Sequence, residues 1–206
     1  MKRAALILLL IARPAFADQS ADQHMLAGAR AFQAAKFAEA LVEFRVAERL
    51  GDAGAVWYVA ASLSKMGRAE DAVVEFTRAE AASPDERDGL LDYYHALACY
   101  DARLYSCADR LLASVGEDAG PRIAAQAAKV RADLAPLLHA PPQAAVVDWY
   151  HAHGAAALAQ GKPALARAYY EEAAGLSALR ADKYRRAEAL TRLEAIPPAH
   201  KAGAAK

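Results

Sequence analysis

The chain has 206 residues, with 25 basic and 25 acidic side chains and 56% apolar residues, which suits one compact domain or one short repeat array. Charge is balanced and no basic block occurs, so neither nucleic acid nor an anionic membrane is expected as a partner. The Ala-rich composition favours helices throughout.

In chain order, Lys2 and Arg3 precede an apolar run from Ala4 to Ala12, followed by Ala15-Phe16-Ala17. Small residues at −3 and −1 suit signal peptidase, so residues 1–17 are expected to be a signal peptide cut between Ala17 and Asp18. The run is much shorter than the roughly 20 residues of a spanning helix, and no membrane span is expected downstream. Periplasmic or secreted localisation follows. The cut removes Lys2, Arg3 and Arg13 from the 25 basic residues, so 22 stand against 25 acidic ones, a net charge of −3.

From Asp18 to Ile196, apolar residues recur at intervals of three and four, as in Phe37, Leu41 and Phe44, and line one side of successive helices. Breaks fall at Gly51-Asp52, Gly67, Ser83-Pro84, Gly116 to Pro121, Pro141-Pro142 and Gly161, predicting short helices joined by tight turns. A spaced set runs through them: Ala60, Gly67, Ala72, Phe76, Ala79 is matched by Gly154, Gly161, Ala166, Tyr170, Ala173, with identical offsets of seven, five, four and three. Two further copies carry Gly28, Ala40, Phe44 and Ala47, and Ala96, Ala108, Leu112 and Val115.

This pattern resembles the tetratricopeptide repeat, a helix-turn-helix unit that stacks into an α-solenoid. The resemblance implies an all-α right-handed superhelix: three hairpins over residues 18–115, an irregular connecting helix over 116–142, a fourth hairpin with a closing helix over 143–196, and a disordered tail over 197–206. The small residues Gly28, Ala40, Ala60, Ala72, Ala96, Ala108, Gly154 and Ala166 belong where the two helices of a hairpin cross, since a larger side chain would hold the backbones apart. Phe44, Phe76 and Tyr170 are expected to fill the space between one hairpin and the next.

The copies also depart from one another. Arg103 stands where a turn glycine is common. Ser83-Pro84-Asp85-Glu86 reads as an N-cap, a first-turn proline and a capping-box glutamate, starting a helix at Pro84. Pro121 to His139 interrupts the alternation, either as a degenerate half-repeat or as a helix that turns the last hairpin relative to the first three. The segment Leu179 to Ile196 reads as the closing helix, with Tyr184, Leu190 and Leu193 facing inward.

No phosphate-cradling glycine loop, GxSxG elbow or HExxH helix occurs, so no catalytic residues and no cofactor are expected. His151 and His153, two apart on a helix, point about 200° apart and do not share an ion. His95 and Cys99 share a face with Cys107 eight residues on, but three ligands without an evident fourth make a poor structural zinc site, so no metal is expected. In an exported protein Cys99 and Cys107 read instead as a disulfide, the alternative being two buried free thiols that pack as small apolar groups.

The resemblance further implies a concave groove lined by the first helix of each hairpin. It would be formed by Met25, Phe32, Trp57, Lys65, Tyr93, Leu97, Tyr100, Asp101 and His151. The expected ligand is another protein or a peptide gripped by aromatic rings, the protein being a non-enzymatic scaffold of the cell envelope. Two rivals stand beside it. One is an accessory factor of a cell-wall-acting enzyme, needing His95, Asp101 and Glu70 in one cleft. The other is a homo-oligomer that self-assembles through its terminal helices.

Overall fold

One turn is built four times. Ala35, Gly67, Arg103 and Gly161 have φ of 58°, 74°, 61° and 70°, each seven residues beyond a small residue of the spaced set. The following amide reaches back five residues in every case: Lys36 to the Ala31 carbonyl, Arg68 to Leu63, Leu104 to Cys99 and Lys162 to Ala157, at 2.8 to 3.0 Å. A left-handed residue closed by such a bond ends one helix and aims the chain into the next. Glycine adopts it freely, whereas Ala35 and Arg103 do so against the usual steric preference.

The computed structural model describes residues 15–197, with side chains from Ser20 onward. Most of the expected signal peptide, the side chains of Ala17 and Asp18, and the tail beyond Pro197 lie outside the described residues. Within them the chain is all-α. Its helices are α1 (Ala15–Gln33), α2 (Phe37–Arg49), α3 (Ala55–Lys65), α4 (Ala69–Ala82), α5 (Gly89–Asp101), α6 (Tyr105–Ser114), α7 (Pro121–His139), α8 (Ala144–Ala159), α9 (Pro163–Leu179) and α10 (Arg186–Ala195). The repeated turn joins α1 to α2, α3 to α4, α5 to α6 and α8 to α9, and the helices of each pair pack together. Successive hairpins meet through α2 on α3 and α4 on α5, and α7 follows on α6.

The crossings explain the spaced set. A Cβ on Gly28 would lie 2.6 Å from the Phe44 ring, and one on Gly154 2.8 Å from the Tyr170 ring. Both rings therefore press on the glycine of their own hairpin; Phe44 also meets Tyr58 of the next hairpin, with ring centroids 5.3 Å apart, as expected from the spacing, whereas Tyr170 lies against His151 of its own hairpin. Phe76 serves both places, 6.0 Å from Trp57 within its hairpin and stacked at 4.5 Å on His95 of the next. Ala40, Ala60, Ala72, Ala96, Ala108 and Ala166 are all wholly buried.

Local chemistry departs from the sequence expectations at three places. Pro84–Glu86 forms only a short 3-10 turn, and α5 starts at Gly89, with the Leu91 amide donating to the Asp88 carboxylate at 2.7 Å. Ser83 instead ties its hairpin together, its hydroxyl donating to the Ala53 carbonyl while its own carbonyl accepts from the Trp57 indole at 2.9 Å. Residues 121–139 form one continuous helix with Pro136 in its last turn, seated by the buried Ala127 and Leu134. The expected closing helix is shortened: α9 runs to Leu179, and α10 begins only at Arg186, after left-handed Lys183 and Arg185. That break turns α10 so that Ala189 and Ile196 are buried and Leu193 is half-buried, leaving Tyr184 and Leu190 exposed.

The last hairpin returns to the middle of the chain. Helix α9 packs on α4 and α6. The Tyr150 hydroxyl donates to the Arg103 carbonyl at 2.6 Å, and the Tyr169 hydroxyl to Glu70 at 2.8 Å. Lys162 pairs with Asp71 at 2.9 Å, and the Arg103 guanidinium lies 5.3 Å from the centre of the Trp149 ring.

The repeated turn makes a paired prediction. Ala35→Gly relieves a left-handed alanine on the surface and should stabilise by about 0.5–1 kcal/mol, while Gly67→Ala at the equivalent place should cost about 1 kcal/mol. Urea unfolding of both variants checks the opposite signs.

Candidate functional site

Adjacent residues on a helix point about 100° apart, so the two rings of an aromatic pair need not meet the same surroundings. This decides the fate of the expected groove. Trp57 is wholly buried and Tyr93 is 4% exposed, so neither offers area to a partner; Tyr58 and Tyr94, one residue on, reach the surface instead. Met25 and Leu97 are partly buried against the core, and His151 is buried in α8 with Nδ1 3.8 Å from Glu188 of α10. Tyr100 is 40% exposed beside Tyr105, and Asp101 lines a cleft described below.

Two of the expected groove residues, Phe32 and Lys65, do come together. The Phe32 ring makes edge contacts with Phe37 at 5.2 Å and Tyr94 at 5.7 Å, joining the end of α1 and the start of α2 to the middle of α5. Across these rings lies the Lys65 ammonium, 5.6 Å from the centre of Phe37 and 5.8 Å from that of Tyr94. Its side chain is exposed, and no carboxylate of the described residues lies within ion-pair distance. The arrangement is an aromatic wall with one unneutralised cation. Phe37 and Tyr94 were missed because the sequence shows Tyr93-Tyr94 as a doublet and does not say which ring the core takes.

Two clefts lie where the last hairpin returns. One, of about 360 Å³, is lined by Glu70, Asp71, Asp101, Arg103, Trp149 and Lys162 among others. The second, of about 550 Å³, is bounded by α4, α6 and α9 and lined by His95, Cys107, Arg110, Arg167 and Glu172 among others. Glu70 and Asp101 thus share the first cleft and His95 lies in the second, so the three do not converge. His153 stacks on Trp149 at 3.6 Å in the first cleft while His151 is covered by α10, so the two histidines face apart.

The second cleft is lined by two buried titratable groups, His95 and Glu172. Burial, with Arg110 and Arg87 nearby, brings the His95 imidazole down to about 3, so it is neutral at ordinary pH. Its Nδ1 has no hydrogen-bond partner and lies 3.7 Å from Glu80. Glu172, on α9, accepts from the Ser106 amide at 2.6 Å, the Ser106 hydroxyl at 2.9 Å and the Cys107 amide at 3.2 Å. Burial pushes this carboxyl above its usual range, against the hydrogen bonds that pull it down. Cys99 and Cys107 are joined as a disulfide across the α5–α6 turn, with Cα atoms 5.9 Å apart.

No protein-family model matches the chain and no curated protein matches it. The structure itself defines an all-α chain of consecutively packed hairpins.

Glu172→Ala would strip three donors at the start of α6 of their acceptor and should lower stability by about 2 kcal/mol. Glu172→Gln, which keeps one acceptor oxygen, should lose less. Urea midpoints decide it: an alanine variant as stable as the parent would show that Glu172 does not dock the last hairpin.

Proposed function

We propose that this protein is an exported, tetratricopeptide-like scaffold of the cell envelope that binds a peptide segment of another protein and performs no chemistry of its own. The supporting observation is the Lys65 ammonium lying across the Phe37 and Tyr94 rings, with no carboxylate of the described residues within ion-pair distance. Such a patch suits a segment that brings an apolar or aromatic side chain to the rings and a carboxylate to the ammonium. The four equivalent left-handed turns support the repeat relationship. The Lys2-Arg3 start, the apolar run and the Ala15-Phe16-Ala17 cleavage pattern support export, as does a disulfide in a protein with two cysteines.

Lys65 is exposed, so reversing its charge should leave folding within about 0.5 kcal/mol of the parent. Lys65→Glu should nevertheless weaken binding of acidic, aromatic peptides from a fixed-composition panel by about tenfold or more, and Tyr94→Ala should weaken it similarly. Equal binding by folded Lys65→Glu, or equal binding of neutral and acidic peptides, would overturn the assignment. For export, N-terminal sequencing of protein recovered from the envelope of an expressing bacterium should read from Asp18; a chain still beginning at Met1 would count against it.

A further inference from the structure

We propose that, once the Cys99–Cys107 disulfide is reduced, His95, Cys99 and Cys107 bind one borderline-soft divalent cation of the zinc type. The three side chains place a ligand atom each within 4.8 Å of one another. Two come from one face of α5, His95 and Cys99 being four residues apart, and the third from the first turn of α6. The short left-handed turn at Arg103 holds these two segments against each other. The rest of the site is already built. His95 is 3% exposed and is fixed by stacking on Phe76 at 4.5 Å, and Glu80 lies 3.7 Å from its Nδ1, where a carboxylate can orient a ligating imidazole.

The sequence offers no fourth ligand, and the cleft explains why none is needed. His95 and Cys107 both line it, so the remaining coordination position opens on to a space that admits water or a small ligand. Two thiolates, one imidazole and an open position form a donor set that zinc accepts. The disulfide and the metal are mutually exclusive because both use the same sulfur atoms. A dithiol reductant would become a disulfide and deliver two electrons and two protons, leaving thiols on Cys99 and Cys107. Binding the cation then releases both thiol protons. The site is independent of the Lys65 face.

The test uses protein reduced with a dithiol, desalted without oxygen and titrated with Co²⁺ as the probe. The expected result is one cobalt per chain with thiolate-to-cobalt charge-transfer absorption, displaced by one equivalent of Zn²⁺, and no such signal from the oxidised protein. His95→Gln should weaken cobalt binding by about tenfold or more, and Cys107→Ser should lose most of the charge-transfer intensity. Circular dichroism accompanies each titration. If reduction costs helicity, metal must restore it. Absence of the charge-transfer signal, failure of metal to restore lost helicity, or equal cobalt binding by the oxidised protein or by folded His95→Gln would overturn the proposal.

Discussion

The closeness of the two helices within each hairpin is the constraint on which the remaining structure depends. At Gly28 and Gly154 an added Cβ would fall within 3 Å of an aromatic ring of the facing helix, and at the alanine crossings no surface is left exposed. Helices this close leave room for only a short connection, and a connection that short needs one left-handed residue to reverse the chain. Ala35 and Arg103 adopt that conformation without being glycine, which shows that the crossing dictates the turn rather than the turn dictating the crossing.

Short turns leave helix-end groups unpaired, because the last carbonyls of one helix and the first amides of the next have no partner within their own helix. The last hairpin docks on these groups. Tyr150 donates to the Arg103 carbonyl, the Tyr169 hydroxyl lies 3.5 Å from the Ala102 carbonyl, and Glu172 receives the first amides of α6. Burial raises both phenols above their usual range, which favours the protonated, donating form. The return of α8 and α9 is therefore a polar match to a specific helix junction as well as an apolar one.

The helical content, the four hairpins and their small crossing residues were legible because steric exclusion leaves a fixed spacing in the chain. Phe44 was recognised with its contact to the next hairpin, whereas Tyr170 was recognised as a packing group but its partner was not, since spacing says that a ring is buried and not which surface it meets. The return of the last hairpin was invisible for a related reason. It rests on Tyr150, Tyr169, Lys162 and Glu172 reaching residues 47 to 99 positions away, and such pairings carry no period. Nor did the closing segment reveal that Lys183 and Arg185 would be left-handed and delay α10 to Arg186, because lysine and arginine are ordinary helix formers.

The candidate binding face was the least legible part, and the aromatic doublets show why. Trp57-Tyr58 and Tyr93-Tyr94 each supply two rings, and the crowded interior between hairpins accepts one ring from each. Trp57 enters with its indole N–H donating to the Ser83 carbonyl, so its polar atom is satisfied on burial. Tyr93 enters with it, and Tyr94 is displaced outward on to Phe32. Lys65, in the last turn of α3, then has an alternative to the helix-end carbonyls: its ammonium settles across the Phe37 and Tyr94 rings. The outer face is thus a consequence of core packing, and its character is set by whichever aromatic residues the core leaves out.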